Sequence, residues 1–171
     1  MKILAIESSA QAASAALWED GKIKYEATMN NGERHSRTLC ALLESLFAHT
    51  GVTARQIDLF AVSAGPGSFT GVRIGISIVK GLAFEKGQKC VPVSSLLAAA
   101  MPLCNFEGTV AAAMDARVGR VYGAVFRAGG GKLKRRSEDQ DAVQFLHLNI
   151  EKDCIQFKTV FKLFTISLPS E

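Results

Sequence analysis

A glycine-rich segment between an apolar run and a helical pattern constrains the fold of this chain more than any other feature. It extends from Gly65 to Gly75 and reads GPGSFTGVRIG. Free N–H groups at a helix N-terminus can hold an anion, and glycines permit a sharp turn with close backbone approach. The segment has neither the Gly-Lys-Ser/Thr ending of a Walker loop nor the spacing of a dinucleotide fingerprint. The sequence leaves a phosphate site and a purely structural turn open.

The patterns on either side of this segment predict a mixed α/β fold. Apolar or alternating runs predict strands over residues 2–7, 13–18, 22–28, 58–63, 89–93, 109–114 and 119–126, and one further strand over Val160–Ile166. Helical patterns cover residues 39–47, 70–86 and 95–101. Asp20-Gly21 lies between two strand-like runs and predicts a hairpin turn. A meander followed by alternating helices and strands predicts a mixed sheet with helices on its faces.

Composition narrows the class of protein. The 171 residues are 48% apolar and 21% charged, which is ordinary for a globular chain, and they contain no run of 18 apolar residues that could span a membrane. An acidic residue, Glu7, comes too early for a signal-peptide core, so we expect a cytoplasmic protein. The four cysteines form no Cys-x-x-Cys pair, which argues against a zinc site.

Charge gives a weaker indication. The net charge is +4, and the basic residues are locally dense only between residues 132 and 136. This basic cluster consists of Lys132, Lys134, Arg135 and Arg136, and it is followed by Glu138, Asp139 and Asp141. Adjacent runs of opposite sign favour a solvated loop over a contact with RNA.

The two longer helical patterns are unusual in composition. Gly71, Gly75 and Gly81 each cost about 1 kcal/mol relative to alanine inside a helix, so another interaction must offset them. Apolar stripes follow both helices: Leu39, Leu42, Leu43 and Leu46 on the first, and Ile74, Ile78 and Leu82 on the second. The sequence predicts two helices that pack together and dock on a partner, with a self-contained core as the open alternative.

Candidate catalytic residues are few. Glu7, followed by Ser8 and Ser9, and Asp115 each come at the predicted end of a strand, where a carboxylate could hold hydrated magnesium beside a phosphate. A lone acid at a strand end is more often a helix cap or a loop ligand. His35 has Leu39 four residues later, so the metal-binding His-x-x-x-His pair of a peptidase is missing.

Several segments together resemble one family. These are the start MKILAIESS, His35-Ser36 before a helix, the block from Gly65 to Ala83, Val93 to Leu96 and Met114 to Arg117. Over about residues 1–127 the chain resembles the bacterial TsaB (YeaZ) family. The resemblance implies an actin-like ATPase fold of two ribonuclease H-like lobes, with a mixed sheet flanked by helices. Residues 1–104 would form the N-terminal lobe, and residues 105–171 an incomplete second lobe with a divergent tail.

The resemblance also implies a function. Proteins of this family take part in forming threonylcarbamoyladenosine beside the anticodon of tRNAs, as non-catalytic partners of a TsaD-type transferase, with a TsaE-type ATPase as a third member. It implies a homodimer when the protein is alone, and contact with tRNA only through the complex. The partner surface would use the helices over residues 36–48 and 70–85, namely Ser36, Leu39, Leu42, Leu43, Leu46, Gly71, Ile74, Gly75, Ile78 and Leu82.

The alternative function is an actin-like ATPase that binds nucleotide itself. It would bind ATP and magnesium weakly, at Glu7, Ser8, Ser9 and Asp115, although no cofactor is certain. A metallopeptidase is the least favoured reading, because the histidine pair is absent.

Overall fold

The computed structural model describes residues 1–117, 120–137, 140–141, 157–160 and 163–169. The chain divides into two compact units, Met1–Val93 and Ser94–Glu171. The sequence places the division after residue 104, whereas here the short helix that follows Val93 belongs to the second unit. Each unit is built around a sheet of its own.

The first unit contains a five-stranded mixed sheet in the order β3-β2-β1-β4-β5. Its strands are β1 (Lys2–Glu7), β2 (Ala13–Glu19), β3 (Lys22–Met29), β4 (Leu59–Ser63) and β5 (Lys89–Val93). The first three form an antiparallel meander, while β4 runs parallel to β1 and β5 parallel to β4. All five strands were predicted within a residue or so of these bounds.

The turn between β2 and β3 has the predicted chemistry. Asp20 and Gly21 both have positive φ, 47° and 86°, as a two-residue hairpin turn requires. Glycine adopts this conformation without a steric penalty, and aspartate tolerates it better than most residues. The turn places β3 at the edge of the sheet, where Ile23 is 61% exposed.

Two long helices, α1 (His35–Thr50) and α2 (Phe69–Phe84), pack on one face of this sheet. Gly51 ends α1 in the left-handed conformation, and its N–H donates a hydrogen bond to the carbonyl of Phe47. Between them lie the 3₁₀ turn Ala54–Gln56 and β4. The buried core joins both helices to alternate positions of the strands: Leu4, Ile6, Ala13, Ala15, Leu17, Leu39, Leu42, Leu43, Leu46, Ile57, Phe60, Val62, Val79 and Ala83.

The second unit begins with a short helix that packs on a second sheet. This helix, α3 (Ser95–Ala100), is capped by the Ser94 hydroxyl and buries Leu96 and Ala100 against Val110 and Phe126. The sheet order is β10-β11-β6-β7-β8, with β9 also paired to β7. A 3₁₀ turn (Met101–Leu103) precedes the strands β6 (Gly108–Arg117), β7 (Arg120–Gly129), β8 (Lys132–Arg135), β9 (Gln140–Asp141), β10 (Phe157–Val160) and β11 (Leu163–Pro169).

The end of the chain differs from the prediction. Residues 160–166 do not form one strand, because Val160 ends β10 and pairs with Leu163 at the start of β11. β11 is antiparallel to β6, whereas β4 is parallel to β1 in the first unit. The two sheets therefore do not repeat one topology. Glu138 and Asp139 of the acidic run lie outside the described residues.

Adjacent residues of α1 separate core packing from surface effects. Leu39 is fully buried, and Cys40, the next residue, is exposed. We expect Leu39→Ala to lower the free energy of unfolding by about 2–5 kcal/mol through the cavity it leaves. Cys40→Ala should change it by less than about 0.5 kcal/mol. Urea unfolding followed by the fluorescence of Trp18, the single tryptophan and a residue of β2, measures both; equal effects would contradict this core assignment.

Candidate functional site

The turn after β1 is locked to the start of α2 by hydrogen bonds. Ser8 is fully buried; its N–H donates to the hydroxyl of Ser63 (3.3 Å), and its hydroxyl donates to the carbonyl of Gly71 (2.9 Å). The N–H of Ser68 donates to the carbonyl of Ser9 (2.7 Å). The strand end and the glycine-rich segment therefore form one interlocked unit.

Helical glycines make this close approach possible. A Cβ on Gly71 would collide with the carbonyl oxygen of Ser8 and lie 2.9 Å from Cδ2 of His35. A Cβ on Gly75 would lie 2.5 Å from the Ser8 hydroxyl and 3.4 Å from Val62. The cost of these two glycines is thus offset inside the chain, so neither glycine needs a partner to explain it. Their place in a partner interface stays a prediction.

Further hydrogen bonds at this turn occupy N–H groups that would be needed to hold a phosphate. The N–H of Gly71 donates to the Ser68 hydroxyl, which caps α2 (3.2 Å), and the N–H of Ser9 donates to Glu7 Oε1 (2.5 Å). Ser9 Oγ is buried and has no hydrogen-bond partner among the described residues. The geometry favours the structural reading of the glycine-rich turn. Nucleotide binding at Glu7, Ser8 and Ser9 stays a prediction.

The second predicted acid lies in a different setting. Asp115 is exposed and lies inside β6, where it pairs with Val121 of β7 beside a register shift. It therefore does not lie at the end of its strand, where the sequence predicts it. Glu7 is the last residue of β1 and is half-buried. Across the described part of the chain, no group of three His, Cys, Asp or Glu side chains is placed to hold a metal ion.

The inner faces of α1 and α2 are committed to the core. Leu39 and Leu46 are fully buried, and Leu42 and Leu43 are nearly so. These four leucines therefore contribute mainly to the core of the first unit, and their predicted place in a partner interface stays a prediction. Of the other predicted interface residues, Ser36 is exposed, and Ile74, Ile78 and Leu82 are half-buried.

A row of exposed residues follows the outer face of α2. We call it the α2 row; it consists of Phe69, Arg73, Ser77, Gly81 and Phe84. Phe69 and Phe84 are 68% and 87% exposed, and the Arg73 guanidinium carbon lies 3.9 Å from the centre of the Phe69 ring. Apart from the backbone of its own helix, no atom of the described residues would lie within 4 Å of a Cβ on Gly81. Four members of the row share the spacing i, i+4, the ridge that commonly packs into the groove of another helix.

Sequence reasoning identified Gly81 but missed the other members of the row. The apolar stripes predicted for α1 and α2 consist of buried and half-buried residues, because apolar periodicity marks the helix face that packs on the protein's own sheet. The exposed aromatics at 69 and 84 were the available signal. On α1 the corresponding exposed positions are Ser36, Arg37, Cys40, Ala41 and Glu44.

An ion pair ties the C-terminal end of α2 to the preceding 3₁₀ turn. Arg55 hydrogen-bonds the carboxylate of Glu85, the residue after α2. The guanidinium lowers the pKa of Glu85 and the carboxylate raises that of Arg55, in each case mainly through the hydrogen bond. Both side chains are exposed, so solvent screening limits the pair's contribution to stability.

The fold and its comparisons identify the class and then the family. The first unit has an α/β architecture, with a mixed five-stranded sheet and both long helices on one face. The structure of YeaZ from Pseudomonas aeruginosa matches with a TM-score of 0.75 and 31% identity, over 82% of this chain and 66% of that chain. The family model described as TsaD, tRNA N6-adenosine threonylcarbamoyltransferase, matches residues 29–156.

The curated relatives of this chain include TsaB proteins from several bacteria. The tRNA threonylcarbamoyladenosine biosynthesis protein TsaB of Escherichia coli is 37% identical over 74% of this chain and 55% of its own length. TsaB of Bacillus subtilis is 31% identical over 90% of this chain and 68% of its own length. The chain belongs to the TsaB (YeaZ) family. It spans about half the length of its Escherichia coli and Haemophilus influenzae relatives. Among the described residues, no helix is long and apolar enough to cross a membrane.

Replacing two glycines of α2 by alanine should change the free energy of unfolding in opposite directions. Gly71→Ala forces a methyl group onto the backbone of Ser8 and should lower the free energy of unfolding by about 1–3 kcal/mol. Gly81→Ala enters open space in a helix and should raise it by about 0.5–1 kcal/mol. Urea titrations of the two variants test the pair. Destabilisation by Gly81→Ala would show that positions 71 and 81 of α2 do not differ as described.

Proposed function

We propose that this protein is a non-catalytic partner of a TsaD-type transferase in the formation of threonylcarbamoyladenosine on tRNA. It acts by docking the outer faces of α1 and α2 against the transferase. The docked helices hold the transferase in its competent arrangement, which shifts the population of its conformations. Contact with tRNA occurs within the complex, which also includes a TsaE-type ATPase.

The α2 row is the observation that carries this proposal. An exposed glycine within a helix costs up to about 1 kcal/mol relative to alanine. Gly81 lies in the last turn of α2, and no contact with the described residues outside the helix explains it. A partner helix can approach the backbone closely at such a position, while Phe69 and Phe84 offer apolar area at either end. With the exposed side of α1, this surface could contribute one side of an interface of standard size, about 800 Å² per partner.

The name of the family adds support for the pathway. Curated relatives at 31–37% identity are named as threonylcarbamoyladenosine biosynthesis proteins, and the matching family model describes a transferase of the same modification. His35, the one histidine at the start of α1, hydrogen-bonds the carbonyl of Ala10 through Nε2 (2.8 Å) and contributes to the packing around Gly71. The proposal therefore assigns this histidine a structural role and assigns no catalytic residue to the chain.

The same surface would form a homodimer when the protein is alone. Two copies related by a twofold axis can bring one α2 row against another, because such an interface is self-complementary. The transferase would compete for this surface. Dimer and heterodimer are thus mutually exclusive under the proposal.

A bulky charge at position 81 tests the docking surface without disturbing the core. Gly81→Arg should fold, since the position is open, but it should weaken binding to a TsaD-type transferase at least 10-fold. The matched control is Ile23→Arg on the edge strand β3, which adds the same charge at another exposed site. Calorimetric titration of the transferase with each variant gives the affinities, and light scattering gives the oligomeric state of each variant alone.

The outcomes separate cleanly. Loss of both heterodimer and homodimer in Gly81→Arg, with Ile23→Arg unchanged, agrees with the proposal. Unchanged binding by Gly81→Arg would remove the α2 row from the interface. A reconstituted modification reaction that runs equally well with and without the wild-type chain would overturn the function itself.

A further inference from the structure

Three residues of the basic cluster lie on one face of a β-hairpin. On β8 the exposed positions alternate with half-buried ones, so Lys132, Lys134 and the following Arg136 share a face, while Leu133 packs against the core of the second unit. Arg127 on β7 is exposed and lies directly opposite Lys134. We call these four residues, Arg127, Lys132, Lys134 and Arg136, the basic face.

The basic face is uncompensated within the described part of the chain. None of its four cations has an ion-pair or hydrogen-bond partner for its side chain among the described residues. Across the neighbouring strand, Arg127 is paired with Thr109, which carries no charge. Glu107, the residue before β6, lies beside the hairpin turn as an acidic neighbour and accepts a hydrogen bond from the N–H of Gly130 (3.0 Å), but it forms no ion pair with these four cations. Like charges directly opposite on two strands destabilise a sheet, so Arg127 and Lys134 disfavour the fold of the hairpin.

The hairpin that carries these charges is well defined. Gly130 and Gly131 have φ of 56° and 74°, which makes a tight two-residue turn, so two of the three consecutive glycines have a structural cause. On the inner face, Arg135 lies 5.0 Å over the Phe126 ring and donates to the Ser94 hydroxyl (2.9 Å). The sequence interpretation of a solvated loop is therefore incorrect for residues 132–135: they form a strand, and Arg135 is directed inward.

Protection of a sheet edge does not account for the whole basic face. Charged residues on an edge strand hinder pairing with another chain, and β8 lies at an edge. That accounts for Lys132 and Lys134. Arg127 lies on β7, which is paired on both sides, so its charge adds nothing to edge protection.

The spacing of the charges matches a polyanion. Alternate residues of a strand lie about 7 Å apart, so Lys132, Lys134 and Arg136 form a row about 14 Å long with Arg127 beside its middle. Nucleic acid strands carry about one phosphate per 3.4 Å of helix axis, so the row spans on the order of four phosphates. No aromatic residue shares this face within residues 125–136, and base stacking is therefore not offered.

We propose that the basic face binds the phosphodiester backbone of RNA without reading its sequence. The choice of RNA over other polyanions rests on the proposed function in tRNA modification. The arrangement of the charges is observed in the structure and does not depend on that proposal. Contacts to phosphate position a protein on a nucleic acid and carry no sequence information. The basic face would then hold the substrate RNA near the complex while the transferase selects the nucleotide.

Salt dependence of binding tests this directly. Four phosphate contacts contribute a slope of about −3 to a plot of log affinity against log salt, equivalent to an affinity loss of about 60-fold between 50 and 200 mM salt. Fluorescence anisotropy of the full chain with a labelled 17-nucleotide RNA stem-loop measures this slope. We expect the magnitude of this slope to fall by about 3, and the affinity at 50 mM salt to fall at least 10-fold, in a quadruple variant. It carries Arg127→Gln, Lys132→Gln, Lys134→Gln and Arg136→Gln.

The control removes the same charge elsewhere. Lys22, Lys24, Lys86 and Lys89 are exposed residues of the first unit, and their replacement by glutamine gives the same net charge. This variant should keep most of the affinity and slope. Equal losses in both variants would mean that net charge alone attracts RNA, and would overturn the proposal. If the first quadruple variant does not fold, Lys132→Gln with Lys134→Gln should lose about half of the slope change.

Further probes decide the chemistry of the ligand. A stem-loop of scrambled sequence should bind within about threefold of the original, and strong preference for one sequence would contradict backbone binding. Polyglutamate of matched charge should compete poorly; competition equal to that of RNA would assign the basic face to an acidic protein instead. Binding to the transferase should be unchanged in the quadruple variant, so failure of RNA binding and failure of the proposed partnership give different results.

Discussion

The first unit depends on the close contact between the turn after β1 and the start of α2. Ser8 is buried at this contact, and Gly71 and Gly75 have no side chains because its backbone and hydroxyl occupy the space. Hydrogen bonds from Ser8 and Ser68 satisfy polar groups that would otherwise be buried without partners. The contact sets the depth at which α2 lies on the sheet, and so decides which of its residues face the core.

That placement gives the helices two different faces. The inner faces of α1 and α2 are close-packed against the sheet and contribute stability. The outer row of α2 has exposed aromatics and a glycine, Gly81, that no contact with the described residues requires. The packing face and the proposed docking face therefore lie on opposite sides of one helix. A substitution on the packing face would destabilise the unit, whereas one on the other face would test the proposed complex.

In the second unit, the alternation of side chains along β8 separates charged residues between the two faces of the sheet. β8 directs Leu133 and Arg135 toward the core and its lysines outward, so four cations gather on one face although they are not all adjacent in the sequence. The Phe126 ring and the Ser94 hydroxyl hold Arg135 on the inner side. A cluster that is mixed along the chain thus becomes a face of one sign in the folded hairpin.

The sequence by itself determined the elements of the first unit, the Asp20-Gly21 hairpin, the stop at Gly51 and the family, because apolar periodicity and turn chemistry are local properties. It also showed that the glycines of α2 need an explanation. Only the tertiary structure decided which glycine faces Ser8 and which faces solvent, which leucines are core, that α3 packs on the second sheet, and that Arg127 opposes Lys134. These features depend on contacts between residues far apart in the chain, and a local sequence pattern does not identify the distant residues that a side chain will contact.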